Sequence, residues 1–411
     1  MNPQARAQTA LFALALSAFV FGTAEFVVVG VLDLVARDLA IPIATASHLV
    51  MAYALGIAIG GPIATALTTR FERRFVLALA LAVFVASNVV IIVSRHFGLL
   101  ALARFVPGAM HGLFVGAASV VAAGLVPARQ RGQAMSMVFG GVAVATVLGV
   151  PLGTWMAQAM GWRAVFAGIA ALGALAWAAT LAIVPRHEAG AAVGTMAQAR
   201  AAFAPRVLAL LAVAALLMGG QFSVFTYIAP YLKQVAGATD KSIAAYLLVY
   251  GVASAAGMFA GGRLADRNAS ATIVVANALL LAVLSSLYFF GSGAFMAMLI
   301  LAAWGIIGFG MVPAIQIRVV GLAGQGGDLA ASLSASAINA GIAAGSLAGG
   351  WALVRFDVSA VVLVGLALCT LALPAAWATR SFEAPVPMAP ASVPRPDIQR
   401  QLLNRVAQPD D

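Results

Sequence analysis

Apolar runs of about twenty residues follow one another along this chain, broken only by short charged or Gly/Pro-containing segments. Nothing else in the sequence restricts the fold so tightly, because roughly 20 apolar residues in a helix cross the hydrocarbon core of a bilayer. The runs are 9–32, 45–69, 75–94, 99–125, 134–160, 163–185, 206–232, 242–265, 271–291, 294–320, 329–354 and 359–379. Lipid leaves backbone groups no partner but each other, so each run is expected to be a helix. The expectation is an all-α integral membrane protein of twelve transmembrane helices. Composition agrees: of 411 residues, 63% are hydrophobic and 9% are charged, against about 25% charged in soluble domains.

The first run follows a short basic N-terminus with Arg6 and is too long for the roughly 7–15-residue core of a cleaved signal peptide. It reads as a retained helix. The longest internal polar stretch, Arg186 to Pro205, divides six runs from six. The expected organisation is therefore 1–185, an N-terminal six-helix bundle; 186–205, a cytoplasmic linker; 206–380, a C-terminal six-helix bundle; and 381–411, a Pro-rich cytoplasmic tail without apolar periodicity. Sixteen of the 23 basic residues fall in segments on one side when the N-terminus is placed in the cytoplasm. By the positive-inside bias, both termini are expected inside. In this setting the net charge of +10 is a topology signal, and there are too few polar residues for a nucleic-acid face. Cys369 is the only cysteine, which excludes an internal disulfide.

A repeat runs through the chain at an offset of 197, pairing Gly22 with Gly219, Gly60 with Gly257, Leu67 with Leu264, Arg70 with Arg267, Gly108 with Gly305, and Gly153 with Gly350. One register held across five helices implies two parallel, pseudo-symmetric halves with a substrate site between them near the membrane midplane. Within the charge-free run 134–160, Gly149, Pro151 and Gly153 mark a bend. Pro151 removes a backbone donor and clashes with the preceding turn, while the glycines allow a neighbouring helix close.

The titratable groups inside the runs are few. Glu25 is the only carboxylate deep in an expected helix, and such a group is costly there unless it serves a site or a structural hydrogen bond; a proton-coupling or substrate-binding acid is the favoured reading. Arg104, a few residues into the fourth helix, needs a carboxylate, carbonyls or water opposite it, and Glu25 is the expected partner. His111, seven residues on, shares a helix face with Arg104 and Gly108 and has proton-sensing chemistry, although a lone His is more often packed. Asp33 and Arg37 read as an exposed ion pair worth little. Gln221, Tyr227, Trp304 and Asn339 are polar or aromatic groups suited to lining a substrate cavity. Arg70, Arg73, Arg74, Asp266 and Arg267 form candidate cytoplasmic gate clusters, the arginines also serving topology. No phosphate-cradling GxxxxGK[ST] and no paired His/Cys metal spacing is present, so no enzyme chemistry, metal or cofactor is expected, and an ion gradient is the expected energy source.

Several motifs carry a resemblance. GlyThrAlaGluPheValValValGly (22–30), ArgPheValProGly (104–108), LeuGlyValProLeuGlyThr (148–154) and GlyArgLeuAlaAspArg (262–267) resemble the signatures of the major facilitator superfamily. The match is to its twelve-helix drug/proton antiporters, in the sugar-efflux and chloramphenicol-efflux branch. The chain departs from that pattern at Thr69 and Glu72, in the first-half copy of the loop motif, and at Asp33. The resemblance implies two six-helix bundles, alternating access, a proton-relay role for Arg104, and a monomer. It implies proton-driven export of a small, largely uncharged solute, either a sugar or an amphipathic drug such as chloramphenicol. The alternatives are uptake, purine nucleoside efflux, and a non-transporting membrane receptor or scaffold. The expected partners are solute, protons and lipid, with the chain in the inner membrane.

Overall fold

The structure is a computed structural model that describes residues 3–68, 70–127, 130–185 and 196–383. Thr69, Arg129, the first half of the expected linker (186–195) and the tail from 384 onward lie outside the described residues. Among those described, no strand occurs.

The helices follow the hydropathy. In the first half they are α1 (Pro3–Asp38), α2 (Ile43–Thr68), α3 (Arg73–Val93), α4 (Phe97–Gly124), α5 (Gln133–Met160) and α6 (Trp162–Ile183). A short helix, Met196–Ala202, then packs against the start of the second half's penultimate helix. The second half begins with α7, in two pieces, Pro205–Phe225 and Ile228–Gln234. A single helical stretch, Asp240–Phe290, follows. It holds two spans, because Asn268 leaves helical geometry at φ −160°, ψ 91°. Its side-chain oxygen accepts the N–H of Ala271 at 2.9 Å, the bond of a helix N-cap. Residues 240–267 are thus α8 and 269–290 are α9. Then come α10 (Ala294–Ala323), α11 (Gly327–Arg355) and α12 (Ala360–Ala378). Among the described residues, twelve long helices, with large apolar side chains such as Phe12, Leu102, Trp155, Phe259, Phe289 and Trp351 exposed on the outside, form a multi-pass membrane protein whose belt meets lipid.

Small residues set the packing. Gly22 on α1 lies against Val142 and Ala145 of α5, and Gly219 on α7 lies against Gly341 of α11. Gly108 on α4 meets the carbonyl of Tyr53 on α2, and Gly305 on α10 meets the carbonyl of Tyr250 on α8. Each pair is related by 197 residues, so the sequence repeat is a repeat of helix crossings. Close backbone approach of this kind replaces the hydrophobic driving force that lipid cannot supply.

The bend expected at Pro151 takes the form of a π-helical turn, Ala145–Gly149, two residues before the proline. A second π turn, Gly56–Gly60, stands two residues before Pro62 in α2. In both helices the disturbed ladder widens to absorb the missing donor. Both turns pack against the other half: α2 on α11 and α5 on α8.

A methyl at Gly305 would stand 2.6 Å from the Tyr250 carbonyl and 2.9 Å from Ala253. Overpacking of this sort costs about 1–3 kcal/mol. Gly305→Val is expected to lower the melting temperature of detergent-purified protein by several degrees; an unchanged melting curve would show that the crossing is looser than described.

Candidate functional site

Three helices of the first half bring their polar side chains to one place. Arg104 projects from α4 into the crossing of α1 and α2, and is 1% exposed. Its Nη1 donates to the carbonyl of Ala24 at 2.7 Å, Nη2 to that of Glu25 at 3.3 Å, and Nε to that of Leu49 at 3.3 Å. The guanidinium also lies 4.3 Å from the ring centroid of Tyr53, a cation–π distance. The expected ion pair between Arg104 and the Glu25 carboxylate is not what forms. Three directed donors are taken by main-chain carbonyls, and a buried guanidinium satisfied this way needs no side-chain anion in contact.

The Glu25 carboxylate instead meets His111: Oε2 is 3.4 Å from Nδ1. The Tyr53 hydroxyl donates to the carbonyl of Phe21 at 3.1 Å and lies 3.4 Å from the same Nδ1. Nδ1 thus faces both the carboxylate and the phenol oxygen, which brackets the imidazole from two sides. Phe21 stacks on the imidazole with centroids 5.2 Å apart. The Glu25 side chain keeps 12% exposure, whereas Arg104 is 1% exposed. Tyr53 was not singled out from sequence, although the offset of 197 pairs it with Tyr250 and would have found it.

The second half has no carboxylate, guanidinium or imidazole at the positions equivalent to Glu25, Arg104 and His111. Trp304 Nε1 donates to Oε1 of Gln221 at 3.2 Å, tying α10 to α7. Around this pair are Phe225, stacked on Tyr250 at 4.5 Å, and Phe222, which approaches Phe26 of the first half at 6.2 Å. Asn339 is buried on α11, with Nδ2 on the carbonyl of Ala335 at 3.1 Å and Oδ1 unpartnered. Tyr227 is engaged between the halves. Its hydroxyl bonds Ser47 of α2 at 2.5 Å and the carbonyl of Ser346 at 2.8 Å, so it is a seam between the halves, held where α7 breaks.

The same end of the molecule carries a charge network. Lys233 forms ion pairs with Asp33 of α1 and Asp240 at the start of α8, and Arg37 is 3.7 Å from Asp33. The expected exposed Asp33–Arg37 pair is thus incomplete. Asp33 is buried, and Lys233, which no sequence periodicity marked, clamps the two halves. A cavity of about 650 Å³ opens beside it, lined by Asp33, Arg37, Pro42, Pro230 and Lys233 among others.

The expected gate residues lie at the opposite end and are dispersed. Arg74 donates to the carbonyl of Leu181, tying α3 to α6. Arg70 lies over Phe71 at 5.3 Å, and Arg73 has a buried, unpartnered Nε. Asp266 and Arg267 are exposed, and among the described residues neither makes an ion pair. The candidate cluster is not assembled in this conformation. Gly149, Pro151 and Gly153, by contrast, sit together against α1. The two glycines abut the side chains of Thr23 and Val27, and Pro151 is buried. Among the described residues no group of His, Cys, Asp and Glu is placed to hold a metal ion.

Comparison with known proteins agrees with this geometry. The family model of the Major Facilitator Superfamily matches residues 14–327. The MFS-type transporter YtbD of Bacillus subtilis (strain 168) is 39% identical over 83% of this chain and 87% of its own. A chloramphenicol resistance protein of Streptomyces lividans is 32% identical over 82% of this chain and 87% of its own. A solved bacterial homolog of the human lysosomal transporter Spinster, in an inward-facing and unoccupied conformation, superimposes with TM-score 0.74 at 18% identity. It covers 93% of this chain and 99% of that one, which shows the shared fold.

Two predictions follow from the contacts. Arg104→Lys keeps the charge but cannot direct donors at three carbonyls, and leaving buried carbonyls unmatched costs about 1–3 kcal/mol apiece; the variant is expected to melt several degrees below wild type, and wild-type melting would contradict the three-carbonyl clamp. A double-mutant cycle of Asp33→Ala and Lys233→Ala, read by thermal unfolding in detergent, is expected to give a coupling of about 0.5–3 kcal/mol. A coupling of zero would mean that the pair does not hold the halves together.

Proposed function

This chain belongs to the Major Facilitator Superfamily, and from that premise we propose that it exports a small, largely uncharged solute in exchange for protons by alternating access. The observation that carries the reading is the state of Glu25. It is the acid in the core of α1, its side chain is 12% exposed, and its carboxylate contacts a neutral-capable imidazole while Arg104 is occupied by carbonyls. A group so placed exchanges a proton without breaking the guanidinium's hold on α1 and α2.

The charge bias of the loops supports both termini in the cytoplasm. The Asp33–Lys233–Asp240 network and the Tyr227–Ser47 bond then close the outer end. In the proposed cycle, the outer end opens, protons reach Glu25, and its contact with His111 changes. The halves then rock to face the cytoplasm. Solute entering from inside favours loss of that proton, and the halves rock back. Each ligand must bind the two states differently for this to work. The π turns ahead of Pro62 and Pro151 lie where the halves touch and are the places that yield. Both halves lie in one chain, which supports action as a monomer in the inner membrane. The chloramphenicol resistance protein among the relatives supports export and, of the two solute classes in view, sugar and amphipathic drug, is in keeping with the second.

Glu25→Gln carries the neutral form permanently. In everted vesicles energised by respiration, wild type is expected to accumulate chloramphenicol and to lose that accumulation on adding an uncoupler. The glutamine variant, at equal abundance, is expected to show no uncoupler-sensitive accumulation. Normal gradient-driven accumulation by Glu25→Gln would refute the assignment.

A further inference from the structure

Counting 197 residues on from Tyr53, Glu25, Arg104 and His111 reaches Tyr250, Phe222, Leu301 and Gly308. The same helix crossing, with a tyrosine carbonyl against a glycine, is therefore built twice. In the first half it is furnished with an acid, a guanidinium and an imidazole. In the second it is furnished with rings. Phe225 stacks on Tyr250 at 4.5 Å, Trp304 meets Tyr250 edge-on at 5.5 Å, and Phe309 does so at 6.1 Å.

We propose that this ring cluster is the solute's recognition site, and that it takes an aromatic or otherwise planar apolar group in preference to a sugar. The inference rests on the transporter reading above and narrows its solute class. Three observations carry it. First, the cluster straddles the halves. Phe26, Thr146 and Val150 of the first half enclose, with Phe225, Tyr250 and Phe309 of the second, a void of only about 10 Å³. That is room for about one water. A solute enters only if the rings part, so occupancy is tied to the relative position of the halves.

Second, the rings present both faces and edges, the two modes in which aromatic groups attract one another. A planar solute between Phe26 and the Tyr250–Phe225 stack replaces ring contacts with ring contacts. Third, few polar groups here are free. The hydroxyl of Thr146 donates to the carbonyl of Ala143 at 2.8 Å, and Oε1 of Gln221 accepts from Trp304. The amide nitrogen of Gln221 has only Met218 Sδ at 3.9 Å, and the hydroxyl of Tyr250 takes no hydrogen bond from the described residues, so two polar groups are left to orient a solute. A sugar would bury several hydroxyls beside these two partners, and unpaired buried hydroxyls oppose binding. Amphipathic molecules with one ring and a few polar groups have no such deficit.

The test is equilibrium binding to full-length protein in lipid nanodiscs at one pH, without a gradient, using chloramphenicol and lactose as probes. Wild type is expected to bind chloramphenicol and not lactose. Phe225→Leu and Tyr250→Leu are each expected to weaken chloramphenicol binding by about tenfold or more, with melting temperatures confirming that both fold. Phe289→Leu, on the lipid-exposed surface of α9, is expected to bind as wild type does. Lactose binding as tight as chloramphenicol, absence of chloramphenicol binding to folded wild type, or unchanged chloramphenicol affinity in both ring variants would each overturn the assignment. Because no gradient is present, a chain that binds rings without coupling to protons would pass this test and fail the one on Glu25.

Discussion

The fold and the site depend on how one buried guanidinium is satisfied. Arg104 crosses from α4 to the carbonyls of Ala24, Glu25 and Leu49. A charge in that position is tolerable only if its donors are directed at oxygens, and the oxygens available without disturbing lipid-facing helices are those of α1 and α2. The consequence is mechanical as well as electrostatic. The backbone beneath Glu25 is pinned, while its carboxylate is left to His111. In the proposed cycle a proton comes and goes at the side chain without releasing the main chain.

The rest of the molecule elaborates this arrangement. Glycine lets α4 reach α2 closely enough for Arg104 to span the crossing, and the copy of that crossing in the second half, Tyr250 against Gly305, has exchanged charge for aromatic surface. Between the copies lie two helices with π turns, α2 and α5, each in contact with the opposite half. At one end Lys233 and Tyr227 close the seam. The buried charged groups lie in the first half, the ring surface in the second, and the two π turns where the halves touch.

Much of this was legible in the sequence for physical reasons. Lipid permits few backbone solutions, so runs of apolar residues mark helices nearly one for one; α8 and α9 escape separation only because Asn268 caps the second directly on the end of the first. The offset of 197 named the glycines at which helices cross. The seven-residue spacing of Arg104 and His111 put both on the face that meets α1. Partner choice was not legible. Opposite charges suggested that Arg104 would take the Glu25 side chain, but carbonyls compete for a guanidinium as well as carboxylates do, and only the crossing geometry shows which is nearer. Cross-half contacts were likewise hidden. Asp33 and Lys233 are two hundred residues apart, and no local pattern links them. The bond of Tyr227 to Ser47 was hidden in the same way, because the two residues are 180 positions apart. The dispersed Asp266 and Arg267 carry the loop motif intact, yet a motif describes a repertoire of contacts and one conformation displays only part of it.

The claim at the centre is that solute and proton compete through Glu25. The most direct measurement is proton release on adding solute to purified protein in weakly buffered detergent solution, followed with a pH indicator. The account predicts that chloramphenicol binding to wild type releases protons in proportion to bound solute, and that Glu25→Gln binds without release. Binding to wild type with no proton release, or equal release from the variant, would contradict it.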